Sequence, residues 1–287
     1  MTFARLFSFE RGAQPGLGAE VDGRLLDVTV FLAERYRAQS LMTLVETGRL
    51  SDAAKAVADQ AGRLKEIPAG FTWCLPLKRP PKIIALVQNY QDHAAEFGAT
   101  APPEPVWFGK ISSSLTAHES EIVLPAWLES RVDHEVELAV ILGRSGKDIP
   151  VEKAPGYVAG YSVLNDVSAR HLQKADRENK HPWLRCKNFD TFTPLGPWLV
   201  AADAVADPQA LSIACRVNGE LRQNGNTRQM IHPVNKLIAV LSRYMTLEAG
   251  DVIATGTPAG VGKLVDGDVV ECEIEGVGLL RNRVVKR

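Results

Sequence analysis

The 287 residues carry 33 lysines and arginines against 34 aspartates and glutamates, and this near-zero net charge leaves no electrostatic footprint for nucleic acid or an anionic membrane. Hydrophobic residues make up 45 % of the chain, yet no apolar run approaches the roughly 20 residues of a membrane span, so a soluble globular protein without membrane or nucleic-acid partners is expected. Residues 1–10 lack the continuous apolar core of a secretion signal, and Cys74, Cys186, Cys215 and Cys272 contain no Cys-x-x-Cys pair, which points to reduced thiols and a cytoplasmic location.

Short strand-like runs at 3–9 and 25–28 precede helical stretches near 31–37, 41–47 and 51–61, the last with Ser51 as N-cap and Gly62 as its stop. The Pro-rich connector Leu75-Pro76-Leu77-Lys78-Arg79-Pro80-Pro81 then predicts a boundary between a small N-terminal domain (1–78) and a larger one (79–287). Residues 89–98 suit one short helix. Beyond them short alternating runs follow at 121–124, 135–142, 158–165, 211–221 and 269–285. Asn218-Gly219 favours a type I′ hairpin turn, Gly276-Val277-Gly278 marks another, and Pro233 opens a helix with Val234, Leu237, Ile238, Leu241 and Met245 on one face. Many short strands with few helices predict an α+β, mostly β fold, a β-barrel or rolled sandwich for the second block.

Chemistry concentrates first in Asp133-His134-Glu135-Val136-Glu137. On a strand Glu135 and Glu137 share a face about 7 Å apart, with His134 turned away. Asp166, closing the next strand-like run, supplies a third carboxylate. Three acids without a Cys/His pattern select a hard cation, Mg²⁺, Mn²⁺ or Ca²⁺; the plain alternative is a solvated strand face. His93 and Glu96 are helical neighbours, fitted to a general base on water or simply to an exposed ion pair. Lys110 and Lys187 are candidates for stabilising an oxyanion, against the default of solvated lysines. Arg170 and Gln173 can orient Asp166 or meet a substrate. The Gly256–Leu264 stretch fails as a phosphate loop, because five residues separate Gly256 from Gly262 and Leu264 stands where Ser or Thr is required; it reads instead as a turn presenting Thr257. Trp183, Arg185, Phe97 and Trp107 are candidate walls.

Taken in order, Asn89-Tyr90-x-x-His93-x-x-Glu96, Phe108-x-Lys110, Asp133-x-Glu135-x-Glu137-Leu138-Ala139, Asn165-Asp166-x-x-Ala169-Arg170-x-x-Gln173, Lys187-x-x-Asp190-x-Phe192-x-Pro194-x-Gly196-Pro197, Val217-Asn218-Gly219-Glu220 and Gly250-Asp251-Val252-Ile253-x-Thr255-Gly256-Thr257-Pro258-x-Gly260-Val261-Gly262 resemble the fumarylacetoacetate hydrolase family over roughly residues 83–285. The resemblance implies a mixed β-roll catalytic domain, usually homodimeric, with one Mg²⁺ or Mn²⁺. It implies Glu135, Glu137 and Asp166 as metal ligands, His93 and Glu96 as a water-activating pair on a lid, and Lys187 beside the substrate keto group. Gln173 and Thr257 match substrate contacts; Lys110 matches a lysine near the metal. His171, Ser168, Ala117 and Gln88 stand where Asp, Thr, Gly, and Arg or Gly are more frequent. The expected activity is metal-dependent hydrolysis of a C–C bond in a 2,4-dioxo acid of the acylpyruvate or fumarylpyruvate kind, through a metal-stabilised enolate. Alternatives on the same site are an oxaloacetate-type decarboxylase or a 2-hydroxyhepta-2,4-diene-1,7-dioate isomerase. A catalytically silent metal-binding homologue is the remaining alternative.

Overall fold

The computed structural model describes residues 3–92 and 102–287. Its backbone is one long mixed sheet in the order Lys65–Glu66, Arg24–Asp27, Gln14–Val21, Arg5–Arg11, Thr193–Ala201, Val158–Asn165, Val136–Leu142, Val252–Ala254, Ile83–Val87 and Val106–Lys110. A five-stranded sheet follows the order Glu220–Asn226, Ser212–Val217, Val269–Ile274, Gly278–Lys286 and Glu121–Leu124, and a two-stranded one joins Val132–Asp133 to Ser168–Ala169. Val252–Ala254 runs parallel to Ile83–Val87, and Gly278–Lys286 parallel to Glu121–Leu124. Among the described residues the long sheet ends in two open edges, so the β-rich architecture is a rolled sandwich and not a closed barrel.

Both faces of the long sheet are covered. Val136, Leu138 and Val140 pack towards Ile213, Val270 and Leu280 of the five-stranded sheet and Leu237 and Leu241 of the helix Val234–Tyr244. Ala139 and Ile141, on the other face, join Leu32, Leu44 and Val57 from the helices Thr29–Tyr36, Leu41–Glu46 and Leu50–Gln60. Every residue of Val136–Leu142 is therefore buried, which rules out a half-solvated strand. Leu6 pairs with Leu199, so the N-terminal strands continue the same sheet.

Local chemistry explains several of the element ends. Asn218 and Gly219 both have positive φ (53° and 81°) in the turn that joins Val217 to Glu220, as a type I′ hairpin needs. Ser51 is not a cap: the third helix begins at Leu50, and Ser51 Oγ donates to Asp203 (2.5 Å), 152 residues along the chain. Among the described residues no helix is long and apolar enough to cross a membrane.

Candidate active site

Strand register builds the acid cluster. Val136 pairs with Asn165 and Glu137 with Leu164, while Glu135 N–H donates to Asn165 Oδ1 (2.9 Å) and Asp166 N–H to the Glu135 carbonyl (2.8 Å). These bonds hold the end of one strand against the end of the next. As a result a carboxylate oxygen from each of Glu135, Glu137 and Asp166 lies within 4.8 Å of the others, and all three residues are buried. Asp133 is close in sequence but excluded, since its two oxygens are taken by Arg131 Nε (2.6 Å) and Arg170 Nε (2.9 Å).

The basic groups divide by what their donors already hold. Lys110 Nζ donates to Asp166 Oδ1 (2.5 Å) and to the carbonyls of Lys187 (2.6 Å) and Phe192 (3.3 Å). An ammonium has three donors, so Lys110 has none left for a substrate. It sits beside Asp166 and is not part of the wall of the cavity that Glu135 and Glu137 line. Lys187 Nζ donates to Glu135 Oε2 (2.8 Å) and Asp166 Oδ2 (2.6 Å), keeps a third N–H, and lies 5.2 Å from the Phe108 ring. Arg170 spans Asp133, Glu135 (2.6 Å) and Gln173 Oε1 (3.0 Å).

Charge is unevenly shared in this cluster. Burial depresses the Lys187 ammonium, but Asp166 and then Glu135 outweigh it and hold the group above its ordinary value. Lys110 is held below its ordinary value by burial, which Asp166 only partly offsets. Glu137 faces the opposite pressure: burial, then Asp166, then Glu135 push its carboxyl well above the usual range. Among the described residues no cationic side chain forms an ion pair with Glu137, and its hydrogen bond is from Gly256 N–H (2.7 Å). Three carboxylates, one of them an acid with no ion-pair partner among the described residues, fit a hard divalent cation with Glu135, Glu137 and Asp166 as its holders.

Glu135, Glu137, Lys187, Arg170, Gln173 and Thr257 line one cavity of about 500 Å³, walled by Leu86, Phe108, Trp183 and Val261. The helix Arg170–Glu178 places Arg170, Gln173, Lys174 and Arg177 along one stripe of that cavity. Their spacing i, i+3, i+4, i+7 is legible in the sequence, and it is the signal by which Lys174 and Arg177 were recoverable. Arg185 is instead bound to Asp176 (2.7 Å), and Trp107 packs on Tyr244 with centroids 4.9 Å apart, so neither lines this cavity. His134 turns from the acids and bonds Gln223 Oε1 through Nδ1 (2.9 Å). His93, Glu96 and Phe97 lie outside the described residues. Just before them Asn89 locks the chain, donating to the carbonyls of His232 (3.0 Å) and Thr255 (2.8 Å) and accepting from His232 N–H. Gly256, at φ 93°, passes so close that a Cβ there would sit 2.9 Å from Asn89 Cβ, which explains glycine at that turn.

The model of the fumarylacetoacetate hydrolase C-terminal domain matches residues 82–285. The chain belongs to the fumarylacetoacetate hydrolase family. Among its relatives, the human "Oxaloacetate tautomerase FAHD2A, mitochondrial" is 43 % identical over 283 residues, 94 % of this chain and 88 % of the relative. The structure of maleylpyruvate hydrolase from Sphingobium sp. SYK-6, in complex with manganese(II) and pyruvate, superposes with TM-score 0.82 at 33 % identity, covering 98 % of this chain and 99 % of that one. That of 5-carboxymethyl-2-hydroxymuconate delta-isomerase from Mycobacterium smegmatis does so with TM-score 0.77 at 33 % identity, covering 99 % and 100 %. Close relatives of this chain are thus enzymes of more than one reaction type on one fold. The manganese complex of one neighbour and the buried acid triad here together support divalent-metal binding.

Proposed function

We propose that this protein is a Mg²⁺- or Mn²⁺-dependent enzyme that hydrolyses a C–C bond of a 2,4-dioxo acid of the acylpyruvate class. The observation that carries the reading is the buried acid triad joined to Lys187, whose third N–H remains for the cavity. Glu135, Glu137 and Asp166 would hold the divalent cation, which would supply the positive charge that a 2-oxo acid's enolate requires. Lys187 donates its remaining N–H to the keto oxygen as negative charge grows there. Arg170 and Gln173 position the substrate carboxylate, and Thr257 donates its hydroxyl to an anionic oxygen. His93, paired in sequence with Glu96, takes a proton from water; the water oxygen attacks the distal carbonyl, and the C–C bond electrons leave as an enolate facing Lys187. Proton return to that enolate gives two acids. Phe108 and Trp183 exclude bulk water from one wall.

A second reading, keto–enol conversion or decarboxylation of an oxaloacetate-like acid on the same groups, is supported by the relative named as an oxaloacetate tautomerase. It needs Lys187 and the triad but no water attack. We place the enzyme in the cytoplasm, in keeping with its four free cysteines, and infer a homodimer from its family. The test is turnover by metal-stripped protein, before and after adding Mg²⁺ or Mn²⁺, of acylpyruvates, fumarylpyruvate, oxaloacetate and a 2-hydroxydienedioate, with products identified by mass. Metal-dependent cleavage of a dioxo acid into two acids supports hydrolysis. Mass-conserving conversion or CO₂ release on oxaloacetate alone selects the second reading, and silence across the panel with metal bound overturns both.

A further inference from the structure

We infer that Gln223 is a positioning residue, which aims the Thr257 hydroxyl into the cavity as a hydrogen-bond donor to the bound acid. The inference rests on the proposed role of Thr257 as a substrate contact. Gln223 is fully buried on the strand Glu220–Asn226, belongs to the five-stranded sheet, and reaches across to the other layer. Its Oε1 accepts from Val136 N–H (3.1 Å), between the acids Glu135 and Glu137, and from His134 Nδ1 (2.9 Å). Its Nε2 donates to Thr257 Oγ1 (2.7 Å) and to the Pro258 carbonyl (2.8 Å).

The amide orientation is set by backbone groups that cannot exchange roles. Val136 N–H can only donate and the Pro258 carbonyl can only accept, so Oε1 must face the first and Nε2 the second. The remaining Nε2 hydrogen then falls to Thr257 Oγ1, which becomes the acceptor of that pair. The single hydroxyl hydrogen of Thr257 is thereby released from Gln223, and Thr257 lines the cavity. The loop has little freedom to escape this arrangement: a Cβ on Gly260 would meet the Arg222 carbonyl at 2.2 Å, and one on Gly225 would meet Pro258 Cβ at 2.7 Å. One side chain therefore couples the backbone between two acid ligands to the polarity of a hydroxyl on the opposite wall.

The test uses Mn²⁺-loaded protein and oxalate, an unreactive mimic of a 2-oxo acid, with binding followed by calorimetry. Thr257→Val should weaken oxalate at least about tenfold, the worth of one hydrogen bond to a charged acceptor, and Thr257→Ser should not. Gln223→Met adds no charge and removes the Nε2 donor, so the Thr257 hydroxyl is free to turn from the cavity to the Pro258 carbonyl left without its partner. It should weaken oxalate by a smaller factor than Thr257→Val, yet add nothing in a Thr257→Val background, while Mn²⁺ affinity stays within about twofold. If Gln223→Met does not fold, Gln223→Leu carries the same cycle. Wild-type oxalate affinity in the Gln223 variants, or an equal loss with and without Thr257, overturns the inference. Wild-type affinity in Thr257→Val overturns the reading of Thr257 as a substrate contact, and the inference with it.

Discussion

Replacing Glu137 by Gln should stabilise the metal-free protein and abolish most of the stabilisation that metal confers, two effects of opposite sign from one atom pair. The Glu135 and Asp166 oxygens within 4.8 Å repel a charged Glu137 by about 3 kcal/mol each at an effective dielectric constant of about 20. Lys187 and the Gly256 N–H offset part of that sum. Gln keeps an oxygen for Gly256 N–H and turns an NH₂ towards the neighbouring acids, so the metal-free variant loses repulsion without losing its hydrogen bond. The folded-state carboxyl of Glu137 is raised, so the native state holds more protons than the unfolded one and stability falls as pH climbs from about 4.5 through the raised value. The advantage of Glu137→Gln should accordingly grow across that window. Metal at about 100 times its Kd stabilises wild type by about 2.7 kcal/mol, roughly 5 °C in Tm for a chain of this size. Calorimetric scans with chelator and with Mg²⁺ or Mn²⁺, at pH 5.5 and pH 8, read both effects. A Glu137→Gln protein that is less stable than wild type without metal at both pH values, or that keeps the full metal shift, would refute the electrostatic account.

Lys110→Met should cost about 3–5 kcal/mol in denaturant unfolding, because it leaves Asp166 Oδ1 and two buried carbonyls without their donor; a loss under about 1 kcal/mol would show that the pair is dispensable. Lys187→Met should abolish metal-dependent turnover while the protein stays folded, and turnover near wild type would remove Lys187 from the reaction. His118 is held neutral at a value lowered to about 4, chiefly by burial, and its Nδ1 accepts Arg281 N–H (3.0 Å). The depressed folded value means that the unfolded chain binds the proton first, so about 3 kcal/mol of stability should disappear as pH falls from about 6.5 to 4. Gln at 118 can still accept from Arg281 and should flatten that slope in urea titrations; an unchanged slope would assign the acid sensitivity elsewhere.

Local pattern alone made the acid motif, the hairpin at Asn218-Gly219 and the helix after Pro233 legible, because side-chain period, positive-φ preference and the proline at a helix start act within a few residues. It also carried the family, through motifs spread over most of the chain. Distance in sequence hid the rest. That Lys110 has no donor left depends on carbonyls of Lys187 and Phe192, 77 and 82 residues away. The Asn218 turn is written in two residues, but Gln223, five positions on, looks like any polar strand residue until the two sheets face each other. Which acid lacks a cation is likewise a property of packing: Asp133, Glu135 and Glu137 alternate in one short run, yet two guanidinium groups claim the first and none reaches the third among the described residues. The sequence by itself determined which carboxylates, lysines and hydroxyls the protein has to work with, because residue type and spacing set their chemistry. Only the tertiary structure decided which of their donors and acceptors were already spent, because a hydrogen bond or ion pair between distant residues exists only once the layers close.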